Sequence, residues 1–369
     1  MKICHVINDL SRGGAESHLY SLVKLQRDAG HDISVMLLGS DLKNFFSLEK
    51  DFKEIEIEIV RFKGPKKLQG FNPFSIFGSI NYLSNEKFDV IHSHTPRSDF
   101  LSYISNSFLS ERIRWVVTVH GKYGTYLEGN KLFDIFRKYS ISILSRIWLK
   151  ADAIIAISKS IEDWMSHLNK TLKPSIVPYG VELQDSYSVD LSNDIRIGFM
   201  GRLNQNKGIE DLIDVFKDLK NENDSDFINA KLLIAGVGSN SYEKKLKQIG
   251  DNKNIKFLGY VSDRDKFFNS INLFIFSSYS EGLGLVLLEA MSYGTVCVSR
   301  DIEPMNKIII DSKNGYLFSN NEELKEIITL IKNLSIKDKE VIVHSAIKTI
   351  ENSYSIIHMY LQIEELYSA

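Results

Sequence analysis

Leu273-Phe274-Ile275-Phe276, followed after Ser277-Ser278-Tyr279 by Ser280-Glu281-Gly282-Leu283-Gly284-Leu285-Val286-Leu287-Leu288-Glu289-Ala290-Met291, is the stretch whose reading decides the fold. An uninterrupted apolar run suits a strand covered on both faces, which is the habit of parallel sheets. The next residues turn through glycines into a helix starting near Leu285. Glu281 therefore falls in the loop at a strand's C-terminal end. Gly282 and Gly284 let backbone come close to a ligand, and the helix start offers N–H groups and positive dipole density suited to a phosphate. Glu289 lies about one turn further in. One reading has a carboxylate for hydroxyl groups, amides of Leu285 and Val286 for a diphosphate, and a second carboxylate for a diol. The plainer alternative is a solvated loop charge and a helix-face charge.

The same strand–loop–helix unit recurs outward in both directions. Candidate strands are Lys2–Ile7, 33–38, Val90–Ser93, 115–120, Ala153–Ala156 and 175–177, then Arg196–Met200, 230–235, 255–258, Leu273–Phe276 and 295–298. Amphipathic stretches separate them; in 15–29 the residues Leu19, Leu22, Val23 and Leu25 mark one face and Gly30 is the stop. The pattern starts twice, at Lys2–Ile7 before Gly13-Gly14 and at Arg196–Met200 before Gly201-Arg202 and Lys207-Gly208. Between the starts, Val177-Pro178-Tyr179-Gly180-Val181 is turn chemistry and 185–194 a polar connector. The reading is α/β, two doubly wound domains over 1–182 and 183–350, with 351–369 as a C-terminal helix. In such sheets ligands sit beyond the C-terminal strand ends.

Composition narrows the classes. The 369 residues are 43% hydrophobic and 25% charged, an ordinary globular profile. Lys plus Arg is 45 against 47 Asp plus Glu, so the charge of −2 gives no footprint for generic nucleic-acid binding. Cys4 and Cys297 lie far apart in apolar runs, which supports neither a disulfide framework nor a Cys-ligated zinc. No uncharged apolar run approaches the roughly 18 residues of a spanning helix. A strand beginning at Lys2 leaves no signal-peptide pattern, so the expected location is cytoplasmic.

Several segments, in order, carry a resemblance. Glu281-x7-Glu289 within Glu-Gly-Leu-Gly-Leu-Val-Leu-Leu-Glu-Ala-Met resembles the signature of retaining glycosyltransferase family 4 (group 1). Gly13-Gly14-Ala15-Glu16 is similar to that family's first glycine loop, Thr118-Val119-His120-Gly121 to its Thr-x-His motif, and Ala156-Ile157-Ser158 to its Ala-x-Ser segment. Val177–Val181 resembles the entry to the second domain, Gly201-Arg202-Leu203 with Lys207-Gly208 the phosphate site, and Phe257-Leu258-Gly259-Tyr260-Val261 the nucleobase strand and loop. The match runs from about residue 3 to 318. It implies the GT-B fold, two facing Rossmann-like domains with an interdomain cleft: the first binds acceptor, the second nucleotide sugar, and the last helix crosses back to the first.

The resemblance also implies roles. Arg202 and Lys207, alone readable as surface cations, would bind the donor diphosphate and stabilise the leaving nucleotide, the fork and the point charge doing what a metal does elsewhere. Glu281 would hold donor-sugar hydroxyls and Glu289 the ribose. Gly13 and Gly14 would line the cleft near the donor phosphates, and His120 would sit at the reaction centre. Gly236, in Gly236-Val237-Gly238, would end a strand near the nucleotide; Tyr242 occupies the third-glycine slot of a dinucleotide fingerprint. Gly284, Leu285, Val286 and Tyr260 complete the donor set. His92 and His94 bracket Ser93 without a further ligand at metal spacing, and are read as cleft-lining. Of two Asp-x-Asp triplets, Asp224-Ser225-Asp226 sits in a polar loop and Asp263-Arg264-Asp265 reads as a helix cap, so no metal site is expected.

The stretch 131–150 places Leu132, Ile135, Phe136, Tyr139, Ile143 and Ile147 at helical spacing among Lys131, Arg137, Lys138, Arg146 and Lys150. It reads either as a core-facing helix with a basic solvated face or as a surface that docks on anionic lipid at the cytoplasmic face of the inner membrane. After 295–298, Ser299-Arg300-Asp301-Ile302-Glu303-Pro304 departs from the family's glycine-rich loop. The expected activity is transfer of a hexose from a nucleoside-diphosphate sugar, UDP before GDP, to a saccharide or lipid-linked acceptor. It would proceed with retention and without metal or other cofactor, in bacterial surface-polysaccharide assembly. A sugar-nucleotide epimerase of the same fold is the alternative enzyme.

Overall fold

Strands with apolar side chains on both faces must be covered on both faces, and helices following each strand do so here. The computed structural model describes residues 1–38, 47–62, 73–123, 131–184, 194–221, 227–251 and 253–369. The chain divides into two compact units: Met1–Gly180 with Ile356–Ala369, and Val181–Ser355.

The N-terminal unit runs β1 (Lys2–Ile7), α1 (Gly14–Asp28), β2 (Asp32–Leu37), α2 (Glu49–Glu54), β3 (Glu58–Arg61), α3 (Pro73–Glu86), β4 (Val90–Ser93), α4 (Pro96–Ser107), β5 (Arg114–Val119), α5 (Lys131–Trp148), β6 (Ala153–Ala156), α6 (Lys159–Leu168) and β7 (Ser175–Ile176). Its seven strands are parallel, in the order β3-β2-β1-β4-β5-β6-β7. The other unit runs β8 (Arg196–Met200), α7 (Ile209–Asn221), β9 (Lys231–Ala235), α8 (Asn240–Ile249), β10 (Ile255–Gly259), α9 (Arg264–Phe268), β11 (Leu273–Phe276), α10 (Leu285–Ser292), β12 (Val296–Arg300), α11 (Met305–Ile308), β13 (Tyr316–Phe318), α12 (Asn321–Asn333) and α13 (Ile336–Ser353). Its sheet is β10-β9-β8-β11-β12-β13, also parallel. Finally α14 (Ile356–Ser368) belongs to the first unit.

Each sheet is doubly wound, as expected, and each has a strand-order switch: β1 beside β4 in the first, β8 beside β11 in the second. Beyond the C-terminal ends of such neighbours the connections diverge and leave room for ligand. The short strands β3 and β13 were not among the expected ones; four and three residues at a sheet edge leave little periodicity to read.

The second unit has a continuous core in which Ile197, Leu232, Ile234, Leu273, Ile275 and Val298 of the sheet meet Leu212, Phe216, Leu324 and Val343 of the helices. In the first unit, Ile356, Met359, Ile363 and Tyr367 of α14 close one side of the sheet over Ile3, Leu22, Val90 and Val116. Helix starts follow local chemistry: the side chains of Ser158, Ser239, Asp263 and Asn320 accept N–H bonds from the first turns of α6, α8, α9 and α12. Asp263 is thus the expected cap. Asp224-Ser225-Asp226 and the connector 185–193 lie outside the described residues.

Two expectations are corrected. His92 and His94 line no surface: both are fully buried, because β4 is a central strand and their nitrogens are held inside the sheet's cover. In α5, Tyr139 and Ile143 are exposed rather than core-facing, whereas Leu144, Ile147 and Trp148 are buried. The side chains of 131–138 lie outside the described set. No helix among the described residues is long and apolar enough to cross a membrane.

Candidate active site

At the switch point of the C-terminal sheet two loops are laced together. The β8–α7 loop leaves Met200, passes a single 3-10 turn at Gln205–Lys207 and reaches Gly208 with φ 60°. A Cβ at Gly208 would lie 2.2 Å from the Ser277 carbonyl oxygen, so only glycine lets this loop approach β11's end. Ser277 Oγ donates to the Lys207 carbonyl at 2.8 Å, Tyr279 N–H to the Asn206 carbonyl at 2.8 Å, and Asn206 Nδ2 to the Ser280 carbonyl at 2.9 Å. This lacing brings the Lys207 ammonium onto the Glu281 carboxylate in a half-buried ion pair. Arg202, from the same loop, is exposed and has no ion-pair or hydrogen-bond partner among the described residues. The structure therefore places the two expected cations differently: one already neutralised, one open to solvent.

Gly236 has φ 144° at the end of β9, and a Cβ there would stand 1.8 Å from the Gly201 carbonyl oxygen. Its N–H donates to the Gly259 carbonyl at 2.7 Å, tying in the β10 end that Tyr260 follows. Gly284 (φ 81°) starts α10 without a side-chain cap, and the first N–H groups, those of Leu285 and Val286, have no intrahelical acceptor. One turn on, Glu289 Oε2 is buried without a hydrogen-bond partner. Arg264 Nη1 is 3.6 Å away, too long for a hydrogen bond. Burial raises the Glu289 carboxyl above its ordinary value, and Arg264 opposes that. A carboxylate with an unfilled acceptor is suited to hydroxyl donors.

Arg300, noted in the sequence only as part of a departure from the family pattern, holds this arrangement from below. It is buried at the end of β12, donates through Nε to the Ser277 carbonyl at 3.1 Å and through Nη2 to Asp211 at 2.6 Å, and stacks over the Tyr279 ring at 4.4 Å. Tyr279 donates to the same Asp211 oxygen at 2.6 Å. An arginine closing an apolar strand was the readable signal; its partner on α7 was not.

The N-terminal unit gathers the other expected residues at its own switch point. Gly13 caps α1 and Gly14 opens it; a Cβ at Gly14 would meet only the Tyr179 ring, at an ordinary 3.8 Å. His120 follows β5, and its Nδ1 lies 2.6 Å from the Tyr179 hydroxyl. Burial, then His18, pushes His120 well below its ordinary value, so the ring is neutral. His18, which the sequence reading passed over, stacks on Tyr179 at 4.6 Å with both ring nitrogens buried and unpartnered. Burial, and after it His5, lowers His18 to about 3. Such a ring lacks the hydrogen bonds that buried polar groups normally make. Asp99 is a second buried group with an unpartnered oxygen; it is pushed up to about 7 by burial, while Trp148 Nε1 donates to its other oxygen at 2.9 Å.

Comparison with known proteins accords with this division. The family described as "Glycosyltransferase Family 4" matches residues 12–185, and "Glycosyl transferases group 1" matches 187–348. A Staphylococcus aureus protein, "Capsular polysaccharide biosynthesis glycosyltransferase CapM", is 26% identical over 318 residues, 80% of either chain. "Phosphatidyl-myo-inositol mannosyltransferase" of Mycolicibacterium smegmatis is 26% identical over 317 residues, covering 83% of this chain and 77% of that one. Among solved structures, Anabaena Alr3699/HepE in complex with UDP-glucose superposes with a TM-score of 0.81 at 19% identity, covering 100% of this chain and 99% of that chain. The fold is the two-domain, Rossmann-like GT-B fold.

Proposed function

The chain belongs to the group 1, family 4-like glycosyltransferases, and we propose that within that family it moves a hexose from a nucleoside-diphosphate sugar to a hydroxyl of a saccharide or lipid-linked saccharide. The observation that carries this reading is the lacing of the β8–α7 and β11–α10 loops, which puts Lys207, Glu281 and the start of α10 at one switch point. A diphosphate arriving there replaces Glu281 as the partner of Lys207, recruits exposed Arg202, and meets the amides of Leu285 and Val286. Glu281, released, takes the sugar hydroxyls, and the unfilled oxygen of Glu289 takes the ribose diol. Gly236 and Tyr260 border the nucleotide, and Gly13, Gly14 and His120 keep the roles that the family resemblance implies for them.

In the reaction the bond from the anomeric carbon to the diphosphate oxygen breaks, and the acceptor oxygen forms its bond on the same face. The acceptor's proton passes to the departing phosphate. Arg202 and Lys207 stabilise the charge that grows on that phosphate, which is the electrostatic work the step needs. This route needs no protein nucleophile and no metal. UDP is proposed as the nucleotide and surface-polysaccharide or glycolipid assembly as the setting, supported by the activities that name the two relatives and by the UDP-glucose held by the Anabaena neighbour.

The test is calorimetric titration with UDP, GDP and ADP, followed by proton NMR of UDP-glucose during slow hydrolysis. Binding of UDP that is lost in Lys207→Ala, with α-glucose appearing before mutarotation, is expected. β-Glucose as first product would overturn retention, and unchanged UDP affinity in Lys207→Ala would overturn the site.

A further inference from the structure

Five of the N-terminal unit's histidines, His5, His18, His92, His94 and His120, crowd together, and three of them, His5, His92 and His94, have ring nitrogens within 4.8 Å of one another, close enough to suggest a metal. Their hydrogen bonds point elsewhere. His5 Nε2 is 2.8 Å from Gln26 Oε1, and His5 Nδ1 is 3.0 Å from His94 Nε2. His94 Nδ1 is 3.2 Å from His120 Nε2, and His120 Nδ1 is 2.6 Å from the Tyr179 hydroxyl. His92 has Tyr367 at 2.5 Å on Nδ1 and Thr118 at 2.7 Å on Nε2. All six nitrogens of the triad are thus engaged. A metal there would first have to displace these partners.

A neutral imidazole donates from one nitrogen and accepts at the other. Once one member of a chain of imidazoles is oriented, every member is. Gln26 supplies the orientation: its Nε2 faces the Glu364 carboxylate at 3.3 Å, and a carboxylate only accepts. Glu364 is itself held by His31 Nε2 at 3.1 Å. The amide N–H therefore points to Glu364 and the amide oxygen to His5, so His5 Nε2 carries the proton. It follows that His94 Nε2–H donates to His5 Nδ1, His120 Nε2–H donates to His94 Nδ1, and the Tyr179 hydroxyl donates to His120 Nδ1. The reverse polarity would set the Gln26 oxygen against the carboxylate.

We propose that Glu364, Gln26, His5 and His94 form a directional hydrogen-bond relay that holds His120 in a single neutral tautomer, Nε2–H, with Tyr179 donating to Nδ1. The four are positioning residues that act through His120. Both His120 nitrogens are occupied, so in this arrangement the ring takes no proton from a substrate; it presents a fixed polarity and a fixed plane. The relay runs from α14, the last element of the chain, through α1, β1 and β4 to the end of β5.

Long-range proton–nitrogen NMR of the full chain, labelled with 15N-imidazole histidine, reads each tautomer directly and needs no donor or acceptor. At pH 7.5 His5, His94 and His120 are expected as Nε2–H rings, favoured at least about tenfold, as a hydrogen bond to a charged group allows. Glu364→Gln, whose amide can donate or accept, is expected to leave mixed tautomers at His120 with the far-ultraviolet spectrum unchanged. Gln26→Glu combined with Glu364→Gln, which exchanges the two groups, is expected to restore one tautomer. An Nδ1–H or doubly protonated His94 or His120 in the unmodified chain would overturn the relay. So would one tightly held equivalent of zinc, or an unmixed His120 in Glu364→Gln. None of these outcomes bears on which nucleotide binds, so the relay and the proposed activity stand or fall separately.

Discussion

Glu281 is engaged before any ligand arrives, because Lys207 reaches across from the neighbouring loop. That gives its removal two opposed effects. Glu281→Gln frees the ammonium for phosphate, and UDP is expected to bind as tightly or up to about tenfold more tightly by titration calorimetry. Sugar transfer is expected to fall by about 10²–10³, the scale of losing one electrostatic contact to the transition state. Weaker UDP binding in that variant would mean the pair does not gate Lys207. Gly236 gives a sharper structural test. Its Cβ would intrude on the Gly201 carbonyl, whereas a Cβ at Gly259 (φ 68°) meets nothing within 4 Å. Gly236→Ala is expected to destabilise the C-terminal unit by about 3 kcal/mol or more, and Gly259→Ala by about 1 kcal/mol from backbone strain alone, read from urea midpoints. Equal midpoints for the two variants would refute the packing argument.

Among elements, α10 and α14 show how much a pattern reveals. The start of α10 could be read from Gly282 and Gly284, since an apolar strand followed by glycines has few other solutions. The partners of its loop could not: Arg300, Asp211 and Tyr279 are distant in sequence and meet only because β12 and α7 flank β11's end. For α14 the apolar spacing shows a helix, but not that Tyr367 lands on His92 Nδ1 or that Ile363 fills the space over Ile3 and Val116. Ile363→Ala is expected to cost the N-terminal unit about 2–5 kcal/mol through the cavity it leaves. Tyr367→Phe, which removes one partner of a buried ring, is expected to cost about 1–3 kcal/mol. Urea denaturation followed by the fluorescence of Trp115 and Trp148, both buried in this unit, checks both; a midpoint shift near zero in either would count against the packing described.

At the scale of the molecule, buried histidines make stability depend on pH. His5 is held at about 4 by burial, with the Gln26 bond opposing, and His18 at about 3; His92, His94 and His120 lie well below the ordinary 6.5 for the same reason of burial. Between 6.5 and these values the unfolded chain binds protons the folded unit refuses, so stability falls as pH falls. Each histidine contributes about 1.4 kcal/mol per pH unit inside its window. Asp99, raised to about 7, has the opposite sign, losing stability as pH rises from 3.8 towards 7, but it is one group against five. The urea midpoint of the N-terminal unit is expected to drop steeply from pH 6.5 to 4.5, and less steeply in His18→Phe. A flat profile would show that the rings titrate freely.

The amino-acid sequence by itself determined the two doubly wound sheets, the loops in which Arg202, Lys207 and Glu281 stand, and the helix that carries Glu289. Apolar runs, glycines and helical spacing are local properties, and parallel strands with helical crossovers are what they permit. Only the tertiary structure decided that Lys207 is paired while Arg202 has no partner among the described residues, that His92 and His94 are interior, and that Gln26 lies between Glu364 and a row of imidazoles. Those outcomes depend on which strand ends become neighbours and on whether a polar group, once removed from water, finds a partner. Residues far apart along the chain carry no mark of either.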